Sequence, residues 1–112
     1  MSKYHAKPAI VDGITFDSRK EAGRYKFLKM LERSGQIKEL RLQVPYELQP
    51  AFRINGKAVR SIKYVADFVY KVRDKNGYEK VVEEDAKGYR TDIYELKRKM
   101  FAFRYGFEIT EV

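Results

Sequence analysis

Apolar positions in this chain change period several times, and each change marks an element. Leu40, Leu42, Val44, Tyr46 and Leu48 alternate strictly with polar neighbours, the period of an extended strand. Pro45 places the second half of that strand at an edge or a bulge. Upstream, Ala22, Tyr25, Phe27, Leu28 and Leu31 recur at three- and four-residue spacings and predict a helix. Ser18 opens it, with Glu21 three residues on in the form of a capping box, and it stops near Ser34-Gly35. A second helix runs from the cap Thr91 to Gly106 and carries Ile93, Leu96, Met100 and Phe103.

Turn residues divide the rest. Asp12-Gly13 folds a small extended element over residues 10–16, and Asn55-Gly56 separates residues 51–54 from a long strand of about Lys57 to Val72. A third long strand ends at Gly88, and Phe107 to Val112 forms a final short one. The order helix, strand, strand, strand, helix, strand predicts an α/β fold. Its mixed sheet is flanked by helices, with the last strand parallel to the third. Residues 1–9 read as a basic arm on a single domain spanning 1–112.

The strand pattern carries the candidate chemistry. Asp67 interrupts the apolar run Tyr64-Val65-Ala66-Asp67-Phe68-Val69-Tyr70, where an unpaired charge is costly. Asp74-Lys75-Asn76-Gly77 follows, then Val81-Val82-Glu83-Glu84-Asp85-Ala86-Lys87. A three-residue loop from Lys75 to Gly77 sets Asp67 directly across from Asp85, with Lys87 on the same face. Facing carboxylates repel unless a cation sits between them. A divalent metal beside a lysine meets that need, and this is the chemistry of a metal-dependent phosphodiesterase.

Composition narrows the metal. The chain has no cysteine and one histidine, His5, so thiolate sites and Ser-His-Asp triads are excluded and any metal is held by oxygen, favouring Mg²⁺ or Mn²⁺. No apolar run approaches the ~20 residues of a membrane span, and the expectation is a soluble, cytoplasmic protein with no small-molecule cofactor. A formal charge of +8 favours a polyanionic partner, nucleic acid first.

Four stretches carry a resemblance: Asp12-Gly13-Ile14-Thr15-Phe16-Asp17-Ser18 through Glu21, Lys63 to Phe68, Val82 to Gly88, and the Lys97-Arg98-Lys99 helix ending at Tyr105-Gly106. In these the chain resembles the PD-(D/E)xK nuclease superfamily. It is more closely similar to a phage-encoded family of small nucleases, some described as Holliday-junction resolvase-like and long catalogued as a domain of unknown function. The resemblance implies a restriction-endonuclease-like core, with Asp67, Asp85 and Lys87 catalytic and Glu21 approaching from the first helix. Asp67, Asp85, the backbone carbonyl of Ala86 and Glu21 become the expected metal ligands, and Gln43 an accessory from the neighbouring strand. Ala66 stands where relatives often have proline, and Asp85 where many have glutamate. The implied activity is Mg²⁺-dependent hydrolysis of branched DNA by a homodimer, in a phage-encoded protein working inside a bacterial host.

Each residue also has a plainer reading. Glu21 completes a capping box regardless, Asp67 could pair with Lys63 or Lys87, and Glu83 and Glu84 read as solvated strand charges. Basic residues on the helices, among them Arg19, Lys20, Arg24, Lys97 and Lys99, and Arg90 just before the second helix, are phosphate-binding candidates or merely solvated faces. Tyr89 and Tyr94 are candidates for stacking on DNA at the rim. The alternatives are a flap or single-strand nuclease, a non-catalytic nucleic-acid-binding module, or a structural factor without DNA affinity.

Overall fold

The structure, a computed structural model, describes residues 7–86 and 90–112. Two short strands, β1 (Ala9–Val11) and β2 (Ile14–Phe16), pair antiparallel across Asp12 and Gly13. Both turn residues have positive φ (53° and 75°), the type I′ geometry that suits the twist of a hairpin. Helix α1 (Arg19–Arg33) follows, with the Ser18 hydroxyl accepting from the Glu21 amide at 3.1 Å. This satisfies one of the unpaired donors at the helix start. Gly35, at φ 81°, follows the cap residue Ser34.

The main sheet has four strands in the order β3 (Lys38–Gln49), β6 (Ile62–Arg73), β7 (Glu79–Asp85), β8 (Thr110–Glu111). The first three are antiparallel, and α2 (Asp92–Tyr105) carries the chain over to β8, which runs parallel to β7. The fold is therefore mixed α/β, with helices and strands in the expected order. The long strand expected from Lys57 is broken. β4 (Phe52–Ile54) and β5 (Lys57–Val59) form a separate hairpin, and β6 begins only at Ile62.

Two apolar groups hold the layers together. Phe16, Ala22, Tyr25, Leu28 and Phe68 pack beneath α1; Leu48, Tyr64, Val69, Tyr94 and Phe101 pack beneath α2. Strand residues two apart normally share a face. Here Leu40 and Leu42 join the α1 group, whereas Val44, Tyr46 and Leu48 join the α2 group. The change falls at Gln43, whose φ of 52° is left-handed. On β6 the same exchange separates Tyr64 and Ala66 from Phe68 and Tyr70, so it falls at Asp67.

The face of α2 differs from expectation. Tyr94 and Phe101 are buried, while Ile93, Leu96 and Phe103 are exposed, Phe103 by 92%. The spacing 94, 98, 101, 105 is as helical as 93, 96, 100, 103, so periodicity alone could not choose. Ring contacts decide: Phe101 meets Tyr46 and Tyr64 edge-on at 5.1 and 5.5 Å between centroids. Phe27 is likewise half-exposed, its ring 5.1 Å from the Arg24 guanidinium.

Candidate active site

Register brings the two aspartates together. β6 and β7 pair as Arg73↔Glu79 through Phe68↔Glu84, closed by a turn in which Asp74 Oδ1 accepts from Asn76 and Tyr78 amides. Gly77 takes the left-handed position at φ 84°. One step beyond the last pair, Asp67 faces Asp85, and the Ala86 amide donates to Asp67 Oδ2 at 3.0 Å. Burial, then the charge of Asp85 and, more weakly, of Glu21, pushes the Asp67 carboxyl up to about 7. The Ala86 amide opposes that shift by favouring the anion.

Tyr64 donates its hydroxyl to Asp85 Oδ2 at 2.6 Å. Burial first, and Asp85 second, raises that phenol far above its ordinary range, so it remains a donor at neutral pH. Asp85 itself is 1% exposed at the end of β7.

Gln43 enters from β3. The pairs Leu42↔Phe68 and Val44↔Ala66 bracket it opposite Asp67. Its Nε2 donates to Glu21 Oε1 at 3.1 Å and to Asp67 Oδ1 at 3.3 Å. Glu21 is buried in the first turn of α1. A hollow of about 200 Å³ opens beside these groups, lined in part by Thr15, Asp17, Glu21 and Gln43. A left-handed glutamine costs about 1–2 kcal/mol, and here it lies where the carboxyl groups converge.

Glu83 and Glu84 are not solvated charges; both are buried, on opposite faces of β7. Glu84 accepts two hydrogen bonds from Arg24, at 2.8 and 2.7 Å, and a short one from the Tyr70 hydroxyl. Glu83 accepts from the Tyr46 hydroxyl at 2.7 Å. Strand alternation explains both, since the sheet is covered on each side at β7. Arg24 is thereby committed to Glu84 rather than to a phosphate. Arg90 pairs with Glu95 and Glu111, and Tyr94 is buried with its hydroxyl on Glu111 Oε2 at 3.0 Å, away from any rim. Arg19, Lys20 and Lys99 are exposed and Lys97 half-exposed. Lys87 and Tyr89, and with them His5, lie outside the described residues.

Sequence reasoning missed Tyr64, Asp17 and the Arg24–Glu84–Tyr70 network. A signal existed for the last. Glu84 faces Phe68 in the predicted register and so needs a buried partner, and Arg24 lies three residues from Glu21 on the same helical face.

Among the described residues no cluster of three or more acidic or histidine side chains forms a ready metal cage. The donors that do converge are all oxygen. Two carboxyl groups sharing one site can hold a proton or a hard cation between them. Mg²⁺ is commonly held by one or two carboxylates with waters and substrate phosphates, so Asp67 and Asp85 could hold it, with Glu21 nearby.

Residues 1–110 match the family described as "Protein of unknown function (DUF1064)". The chain belongs to the DUF1064 family. No curated protein and no solved structure matches its sequence. For this DUF1064 chain the site is thus read from its own residues. They comprise two facing aspartates, a glutamate and a glutamine brought to one point from three strands and a helix.

Proposed function

We propose that this protein is a Mg²⁺- or Mn²⁺-dependent DNA endonuclease with a restriction-endonuclease-like core, acting on branched DNA. The observation that carries the reading is the register that sets Asp67 opposite the buried Asp85, two carboxyl groups in a site too desolvated for two bare charges. A divalent ion bound there would polarise a phosphoryl oxygen and lower the pKa of a water. The chain's own groups have narrower tasks. The Ala86 amide and Tyr64 hydroxyl aim the two carboxyl groups, and Gln43 ties Glu21 to Asp67. Lys87, two residues beyond Asp85, is the proposed group for positioning water or neutralising charge on the transition state.

A branched substrate cut twice calls for two sites, hence a homodimer. The uncovered stripe Ile93, Leu96 and Phe103 supports one. Antiparallel pairing of two α2 helices would set Asp92 and Glu95 of one copy near Lys99 and Arg104 of the other.

The test is cleavage of labelled four-way junction, flap, duplex and single-stranded DNA in Mg²⁺, Mn²⁺ or EDTA. Paired nicks on the junction, abolished by EDTA, Asp67→Asn and Asp85→Asn, are expected. A flap or single strand cut in preference moves the substrate to the simpler nuclease. DNA binding without cutting, unchanged by either substitution, leaves a non-catalytic binding module.

A further inference from the structure

The β4–β5 hairpin is the least explained part of the molecule. Every residue from Ala51 to Ala58 is exposed, and the two strands have extensive contacts only with each other. A lone two-stranded hairpin is marginal in water. This one nevertheless displays Phe52 and Ile54, 44% and 55% exposed, on one face of the ribbon. Its register is fixed by Asn55 and Gly56, both at positive φ (50° and 75°), and Arg53 Nη2 donates back to the Gly56 carbonyl at 2.6 Å. The ribbon is well specified, yet nothing within the described chain covers it.

Its charge says what would. Between Glu47 and Asp67 the chain carries Arg53, Lys57, Arg60 and Lys63 and no acidic residue. That stretch contributes four of the eight net positive charges. Elsewhere cations are interleaved with carboxylates and often paired, as Lys38 and Lys71 are with Glu79 and Glu39. Lys63 faces Glu47 across the ladder, so Arg53, Lys57 and Arg60 form the part free of local acids.

We infer that the β4–β5 ribbon is a duplex-DNA-binding arm that grips the substrate away from the Asp67–Asp85 site. The choice of DNA as the polyanion rests on the nuclease reading above. Two-stranded ribbons fit the major groove, and arginine and lysine on such a ribbon reach the flanking phosphates. The ladder fixes the reach. Gln49, where the arm departs, lies six steps along the strand from Gln43, or roughly 20 Å at strand rise. The arm's own strands add to this, so its tip reaches up to about one DNA helical turn from the aspartates, with Arg60 nearer its base.

The experiment is DNA binding in EDTA, where cutting is absent, as a function of salt. The proteins are the parent, Asp85→Asn, Phe52→Ala and the triple variant Arg53→Ala/Lys57→Ala/Arg60→Ala, on labelled duplexes of about 30 and about 8 base pairs. The triple variant, with thermal midpoint unchanged, should bind the long duplex at least tenfold more weakly. Its log K against log salt slope should be shallower by about 2–3. Parent and triple variant should converge on the short duplex, which cannot span site and arm. Phe52→Ala should weaken binding of the long duplex without altering the slope.

An unchanged slope and affinity in the triple variant overturns the arm while leaving the nuclease reading intact, and points the ribbon to an acidic protein partner. Arm-dependent binding in EDTA by a protein that cuts none of the labelled DNAs in Mg²⁺ or Mn²⁺ overturns the nuclease reading and keeps the arm. A parent with no DNA affinity at moderate salt overturns both.

Discussion

At the scale of single residues, the site is defined by two facing carboxyl groups, Asp67 and Asp85. Asp67 holds its proton up to about 7 in the folded chain, whereas an unfolded aspartate loses it near 4. Between those values the folded state binds more protons, so stability without metal falls as pH rises from about 4 to 7 and levels above. Thermal unfolding in EDTA should show that decline in the parent and lose it in Asp67→Asn, which should be the more stable of the two at pH 8. An identical pH slope in both would contradict the shared site. Gln43 tests a different cost. Gln43→Gly removes a left-handed side chain, so stability should hold or rise by about 1 kcal/mol, while Mn²⁺ affinity falls because Glu21 and Asp67 lose their tie. A destabilised variant with unchanged Mn²⁺ affinity would make Gln43 purely structural. Asp67 and Asp85 were legible in advance because Lys75–Gly77 fixes the register. The burial of Glu83 and Glu84 was not, since a run of three acids looks solvated until both faces of its strand are known to be covered.

At the scale of elements, each helix shows what period can and cannot reveal. The caps Ser18, Thr91 and Gly106 were readable because each supplies a local bond or a left-handed residue that ends a helix. The buried face of α2 was not, since two apolar stripes with helical spacing lie side by side and ring packing against Tyr46 and Tyr64 selects one. Chemical denaturation separates them: Phe101→Ala should cost about 3–5 kcal/mol, and Phe103→Glu less than about 0.5 kcal/mol. If the exposed stripe joins two copies, light scattering should find Phe103→Glu monomeric and the parent dimeric at the same concentration. A dimer that survives Phe103→Glu would remove α2 from the interface. Strict alternation in β3 read correctly as a strand, but it concealed the change of face at Gln43, because a left-handed residue leaves no mark on the apolar pattern.

Across the whole molecule, the sheet brings distant acids to one point while its ends present cations. Arg24 and Glu84 tie α1 to β7 from the face opposite Asp85, so the helix carrying Glu21 and the strand carrying Asp85 are fixed to each other. The order of helices and strands was readable from the sequence because turns and caps punctuate it. The separate β4–β5 ribbon was hidden, because its strands continue the apolar pattern on either side of the break at Arg60 and Ser61. No helix among the described residues is long and apolar enough to cross a membrane. The proposed activity requires the Asp67–Asp85 pair to exchange a bound proton for a divalent ion. Calorimetric titration of the parent and Asp85→Asn with Mn²⁺, in buffers of different ionisation enthalpy, tests it most directly. The parent should bind Mn²⁺ with release of about one proton at pH 6 and almost none at pH 8, and Asp85→Asn should not bind it. Mn²⁺ bound equally by both proteins, or by neither, would contradict it.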